Sequence, residues 1–317
     1  MNSLSLRLCV LCLLLTLQSL LFSQNKIIEV TYERDRAGTG YTFECKNNSF
    51  ANYIVEITFS TLANFTADAS LPYKATVKSG SSRLFSLKPT GLGGAPNFNF
   101  SYSFRRGCHN TKPEADFPYL LPIQADKTTQ SFELSNLSEK YGKESAPKDW
   151  YALGFKTKDG DTIFASRKGI VVETVSDQKE PNGEGLSFTR NVNFIEIQQE
   201  DCTFARYELF RENSLFVKVG ETVQAGQPLG LIGGKNFGSG SHVRLSVFYA
   251  FVETVKKEGK ETDKKNYSAY VPIQFWVDGQ LQKLEKGKAY KSEHPESILT
   301  KEMNKREKKK WLESGKK

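Results

Sequence analysis

Hydrophobic and polar positions alternate in short runs with a period of two through most of the chain. Tyr53-Ile54-Val55-Glu56-Ile57-Thr58-Phe59 alternates over part of its length, and Phe98-Asn99-Phe100-Ser101-Tyr102-Ser103-Phe104 sets aromatic against polar residues throughout. A half-buried strand requires this pattern, because successive side chains leave opposite faces of a sheet. Lys26 to Tyr32 is a further strand candidate, and the segments Lys78 to Ser82 and Gly91 to Pro96 are turn-rich separators. No helical period is present here. The prediction for residues 24–117 is a small antiparallel β-sandwich.

A second unit, residues 118–292, opens with Tyr119-Leu120-Leu121-Pro122-Ile123. Strand-like runs follow at Phe164-Ala165, Gly169 to Val172, Phe194 to Ile197, Phe204 to Leu209, Leu229 to Ile232 and Val243 to Phe248. Residues 293–317 differ: they are polar and lysine-dense, with Ile298, Leu299, Met303 and Trp311 spaced loosely for a weak amphipathic helix. A frayed basic helix or disordered tail is predicted there, not a packed element. The fold class is therefore all-β, with two β domains and a short basic tail.

At 317 residues the chain has room for two ordinary cores. Its first residues read as an export signal, 1–23: Arg7, an apolar run from Leu8 to Leu15, and Ser23 before a cleavage point at Gln24. Gln18 and Ser19 interrupt the apolar run and no stop-transfer charges follow, so no transmembrane segment is expected in the mature chain. Export places the protein in a periplasm or at a cell surface. Cys9 and Cys12 leave with the leader, and Cys45, Cys108 and Cys202 remain. Export permits disulfides. Cys45 and Cys108, both in the first half, are the natural pair, with Cys202 alone.

The net charge of +8 suits an anionic envelope polymer, a membrane surface or nucleic acid, and export makes nucleic acid the weakest of these. A solvated basic surface without a partner is an equal alternative. The cluster Lys305, Arg306, Lys308, Lys309 and Lys310 is the candidate for weak binding to anionic surfaces. Cys108-His109 has no second Cys/His group nearby, so His109 reads as a loop residue.

From Tyr151 to Tyr249 a series of motifs occurs in a recognisable order. Gly160-Asp161-Thr162-Ile163-Phe164-Ala165 leads into Gly169-Ile170-Val171-Val172; Asn193 to Ile197 and Thr203 to Tyr207 follow. Val217-Lys218-Val219-Gly220-Glu221-Thr222-Val223-Gln224-Ala225-Gly226-Gln227-Pro228-Leu229-Gly230 is the most specific segment, and Gly238-Ser239-Gly240-Ser241-His242-Val243-Arg244 closes the series. The stretch resembles the LytM/lysostaphin-type zinc peptidases, which act on peptidoglycan and are built on a duplicated hybrid β motif. Similar Val/Gly spacing also occurs in biotinyl and glucose-permease carrier domains, but Gln224 stands away from any lysine-acceptor motif.

Members of that family hold zinc with a His and an Asp of the first motif and the second His of a closing His-x-His; a further His follows the Tyr of the central strand. By this resemblance the first His falls near Trp150, the Asp at Gly154, the central His at Leu209 beyond Tyr207, and the last ligand at Arg244. His242 alone is kept. One imidazole does not hold a tetrahedral zinc ion, and Arg244 sets a permanent cation where the metal should sit. Glu208, Asp149 or Cys202 could supply substitute ligands. The resemblance thus implies no catalytic residue and no cofactor, zinc belonging to the active members. It points to a degenerate peptidase domain that binds peptidoglycan or regulates a wall hydrolase through the cleft bounded by Trp150, Tyr207, His242 and Arg244. Two alternatives remain open: an active zinc endopeptidase with a displaced site, and a structural or adhesive surface protein.

Overall fold

Strand alternation in the first half folds into two facing sheets. The computed structural model describes residues 26–91, 95–135, 149–179, 191–233, 240–257 and 260–315, and the leader expected at 1–23 lies outside them. The first seven strands are β1 (Ile28–Arg34), β2 (Tyr41–Asn47), β3 (Tyr53–Ala63), β4 (Phe65–Ala67), β5 (Tyr73–Val77), β6 (Gly80–Pro89) and β7 (Asn97–Arg106). One sheet runs β1-β2-β6-β4 and the other β5-β3-β7. Phe43, Val55, Ile57, Phe85 and Leu87 are fully buried between them, each contributing on the order of 2 kcal/mol of burial. In β7 the alternation holds as far as Ser103 and then breaks: Phe98, Phe100 and Tyr102 turn partly inward while Asn99, Ser101 and Ser103 face solvent, but Phe104 is exposed as well. The segment read as a turn at Lys78 to Ser82 is largely strand, because β6 already begins at Gly80.

The second half continues with β8 (Pro118–Tyr119), β9 (Thr128–Glu133), β10 (Leu153–Lys156), β11 (Thr162–Phe164), β12 (Gly169–Val175), β13 (Asn193–Gln198) and β14 (Phe204–Leu215). Then come β15 (Thr222–Val223), β16 (Pro228–Ile232), β17 (His242–Lys257), β18 (Lys260–Tyr270), β19 (Gln274–Val277), β20 (Gln280–Gln282) and β21 (Ala289–Lys291). The central path is β15-β12-β13-β14-β17-β10-β9-β21, with β11 and β16 folded across it and β18 added to β17. β13 is buried at every position, as expected for a strand covered on both faces. Ile195, Ile197, Ala205, Tyr207, Val243, Leu245, Leu153 and Phe155 fill one side of this sheet against β8, β11, β16 and β19.

The two halves meet across the other side. The Cys108–Cys202 disulfide joins the end of the sandwich to the turn between β13 and β14, and Cys45 is a free, buried thiol. This corrects the expected Cys45–Cys108 pair: Cys45 points inward from β2 into the sandwich core, so its sulfur is enclosed by Phe and Val side chains. Ala51, Val172 and Phe204 form a small apolar contact between the halves, and the Asn52 amide donates to Gln198 Oε1 at 2.7 Å. Gly107, at φ +126°, lets β7 pass so close to β17 that a Cβ would lie 2.7 Å from that of Ala250.

The tail is a second correction. It is docked, with α1 (Glu296–Leu299) burying Ile298 and α2 (Lys305–Ser314) opened by an Asn304–Glu307 capping box. Arg167, wholly buried, gathers Asp201 and Glu302 at 2.9 Å each and lies 3.7 Å over the Phe117 ring. Lys168 holds Glu307 at 2.7 Å. A periodicity argument sees only apolar spacing and misses a tail anchored by its carboxylates.

Candidate functional site

Cross-strand register determines which side chains share a face. In the central sheet Glu208 pairs with Arg244, Arg244 with Gly154, and Gly154 with Phe132, giving one transverse row from β14 through β17 and β10 to β9. Next to it Glu196, Arg206 and Ser246 form a second row, and Phe204, Phe248 and Tyr270 a third. All lie on the face turned away from the main core. Tyr207, Leu245 and Leu153 occupy the intervening register and point into that core.

Gly154, Arg244 and His242 therefore come together as the sequence motifs require. The His242 ring is fully buried, and its Nδ1 lies 2.6 Å from the Gly240 carbonyl oxygen. A carbonyl only accepts, so Nδ1 carries the proton and Nε2 presents its lone pair. That lone pair receives a hydrogen bond from Arg244 Nε at 3.2 Å. Burial, reinforced by the Arg244 charge, brings the His242 pKa down to about 4. Arg244 is itself lowered by burial, against the pull of Glu208.

The space beside Gly154 is taken. A Cβ built there would lie 2.3–2.8 Å from three ring atoms of Phe132, and the same ring meets His242 edge-on at 5.2 Å. No sequence pattern points to Phe132. Its only signal is an aromatic residue outside the resembling stretch, on a strand whose place beside β10 is set by the fold.

The other expected site residues separate. Tyr207 is fully buried on the core face, where its hydroxyl accepts from the Ser166 amide at 2.8 Å, so the cleft bounded by Trp150, Tyr207, His242 and Arg244 does not form. Leu209 is the extra residue of a bulge: Asn193 pairs with Phe210 and Phe194 with Glu208, leaving Leu209 unpaired at φ +80° with its side chain in the core. Trp150 stays at the edge of the site, its Nε1 donating to the Leu134 carbonyl at 2.7 Å and its ring 4.6 Å from that of Tyr270.

Charges crossing this face are paired in series. Arg106, from β7 of the sandwich, bonds Glu173 at 2.6 Å and also contacts Glu196. Arg206 reaches Glu196 at 3.4 Å and Glu208 at 2.8 Å, and Glu208 stands opposite Arg244. Burial pushes the Glu196 carboxyl up, against the pull of Arg106 and Arg206. The sandwich thus closes one end of the row, and Phe132 closes the other.

These residues do not fit a zinc ion. One imidazole is present, its free nitrogen is already bonded, and a guanidinium and a phenyl ring fill the adjoining positions. Among the described residues no group of three His, Cys, Asp or Glu side chains could hold a metal. Of the substitute ligands, Cys202 is tied to Cys108 and Glu208 to Arg206.

Residues 148–260 match Peptidase family M23. This segment is an M23 domain. Solved structures similar to the chain include the solution structure of lysostaphin, at 21% identity over 35% of this chain and 40% of that one, with a TM-score of 0.24. Another is a putative glycyl-glycine endopeptidase lytM from Ruminococcus gnavus, at 17% identity over 46% and 56%, with a TM-score of 0.27. A third is a zinc containing peptidase from Vibrio cholerae, at 13% identity over 70% and 75%, with a TM-score of 0.28. The chain spans less than two thirds of the first two. The M23 domain is strand-built, and no helix among the described residues is long and apolar enough to cross a membrane.

Proposed function

We propose that this chain is an exported M23-type protein that binds without cutting: its M23 domain recognises cell-wall peptide or a wall hydrolase. The observation that carries the reading is the hydrogen bond from Arg244 Nε to the one histidine nitrogen that a metal would need. Phe132 supports it by occupying the place of a carboxylate at position 154. A metallopeptidase requires three protein ligands and an open coordination position for water. Here the donor set is one bonded imidazole. What remains accessible is a row of half-buried polar and aromatic side chains, Arg206, Glu208, Arg244, Tyr270 and Trp150, suited to the mixed charges of a short peptide.

The test pairs two measurements on the full protein. Zinc content after dialysis and release of fragments from peptidoglycan should both be at background, while pull-down on insoluble peptidoglycan, or on a wall hydrolase, should fall on Arg206→Ala. One equivalent of zinc with chelator-sensitive cleavage would restore the endopeptidase reading. Retention unaffected by Arg206→Ala but abolished by substitutions on the sandwich would favour an adhesive role for the first domain.

A further inference from the structure

The docked tail turns the basic cluster of the sequence into a surface of defined shape. α2 is fixed from one side: Glu307 accepts from Lys168 Nζ at 2.7 Å and from Gln224 Nε2 at 3.2 Å, and Asn304 caps the helix. With Glu307 turned to the domain, Lys305, Lys308 and Lys309 are exposed on another side of the helix, at the i, i+3, i+4 spacing that sets them together. Leu312 follows one turn later and is 41% exposed. The three lysines, Leu312 and Glu313 line a shallow concavity of about 370 Å³, its walls formed mainly by lysine stems and the leucine.

We propose that this face of α2 is a docking surface for an anionic phospholipid bilayer. Two features decide the occupant. Charge complementarity calls for a negatively charged partner: the helix carries Lys305, Arg306, Lys308, Lys309 and Lys310 against Glu307, which is already paired, and Glu313. The exposed leucine and the apolar lysine stems call for an apolar phase beneath the charges, which a soluble polyphosphate lacks and a bilayer supplies. Cations near such a surface each strengthen binding by roughly fivefold at low salt, so three lysines account for on the order of a hundredfold. Because the helix is anchored to the M23 domain through Lys168 and Gln224, docking would set that domain at a fixed orientation to the membrane.

The experiment is co-sedimentation of the full chain with vesicles of equimolar phosphatidylglycerol and phosphatidylcholine, with pure phosphatidylcholine vesicles and soluble polyphosphate as separate arms. The parent protein should partition onto the anionic vesicles at low salt and be released at high salt. The K305Q/K308Q/K309Q variant should lose on the order of a hundredfold in partitioning, and Leu312→Gln severalfold on vesicles with no change on polyphosphate. All four positions are solvent-facing, so the fold is not at stake, and circular dichroism of each variant verifies that. No partitioning by the parent, equal partitioning by the triple variant, or polyphosphate binding as tight as vesicle binding with no effect of Leu312→Gln would each overturn the proposal.

Discussion

Arg244 Nε donates to His242 Nε2 across 3.2 Å, two positions apart on the same face of β17. The bond needs the neutral imidazole, since a protonated ring has no acceptor to offer. The pKa of His242 in the fold is about 4, below the ordinary 6.5, so the unfolded chain binds this proton first as pH falls. The resulting stability is present above pH 6.5 and is lost as pH drops from 6.5 towards 4, by about 3 kcal/mol in all. His294 shifts in the same direction and Glu196 and Glu302 in the opposite one, so the contribution of His242 is read as a difference. Urea unfolding of the parent and of His242→Gln at a series of pH values should show the parent losing more stability over this window. Parallel curves would mean that His242 does not titrate as stated.

Building the family's zinc ligands into this site is expected to fail while Phe132 remains. An aspartate at 154 puts its Cβ 2.3–2.8 Å from three atoms of the Phe132 ring, so Gly154→Asp alone should destabilise the fold by about 2 kcal/mol. Trp150→His, Gly154→Asp and Arg244→His together should bind zinc no better than the parent, and addition of Phe132→Ala should open the space for three ligands. Zinc titration by calorimetry distinguishes the two sets. Equal affinity would show that the ring is not the obstacle.

The Cys108–Cys202 bridge closes a loop of sequence separation 94 and ties the sandwich to the M23 domain. Replacing Cys202 by Ser should cost about 4 kcal/mol through the freed chain entropy. In the oxidised parent, a thiol reagent followed by peptide mapping should label Cys45 only after denaturant is added, because that thiol is buried. Labelling of Cys108 or Cys202 without reductant would contradict the pairing.

Arg167→Met should release the tail. Removing the guanidinium leaves Asp201 and Glu302 half-buried without their partner, at a cost of about 3 kcal/mol. Proteolysis between α1 and α2 should accelerate in this variant at temperatures where the domain itself stays folded. Truncation before Glu293 tests less, because it also strips Ile298 and Leu299 from the domain and so mixes docking with stability.

The all-β class, the strands at Tyr53, Phe98, Gly169, Phe194, Phe204 and Val243, and the M23 resemblance over the second half follow from the sequence itself. Period-two alternation and glycine-punctuated turns are local properties, set by the backbone and by neighbours one or two residues away. The resemblance, read from the sequence alone, implies that Gly154 and Arg244 stand where the family carries ligands. Only the tertiary structure decided what fills the space they leave. Phe132 meets Gly154 through the pairing of β9 with β10, and Tyr207 turns to the core while Glu208 faces Arg244 because register assigns alternate residues to opposite faces. Leu209 sits in a bulge that no spacing of motifs reveals. Cys108 finds Cys202 rather than Cys45 for the same reason the tail docks on Arg167: both contacts join residues more than ninety positions apart, brought together by packing between elements, which local patterning does not encode.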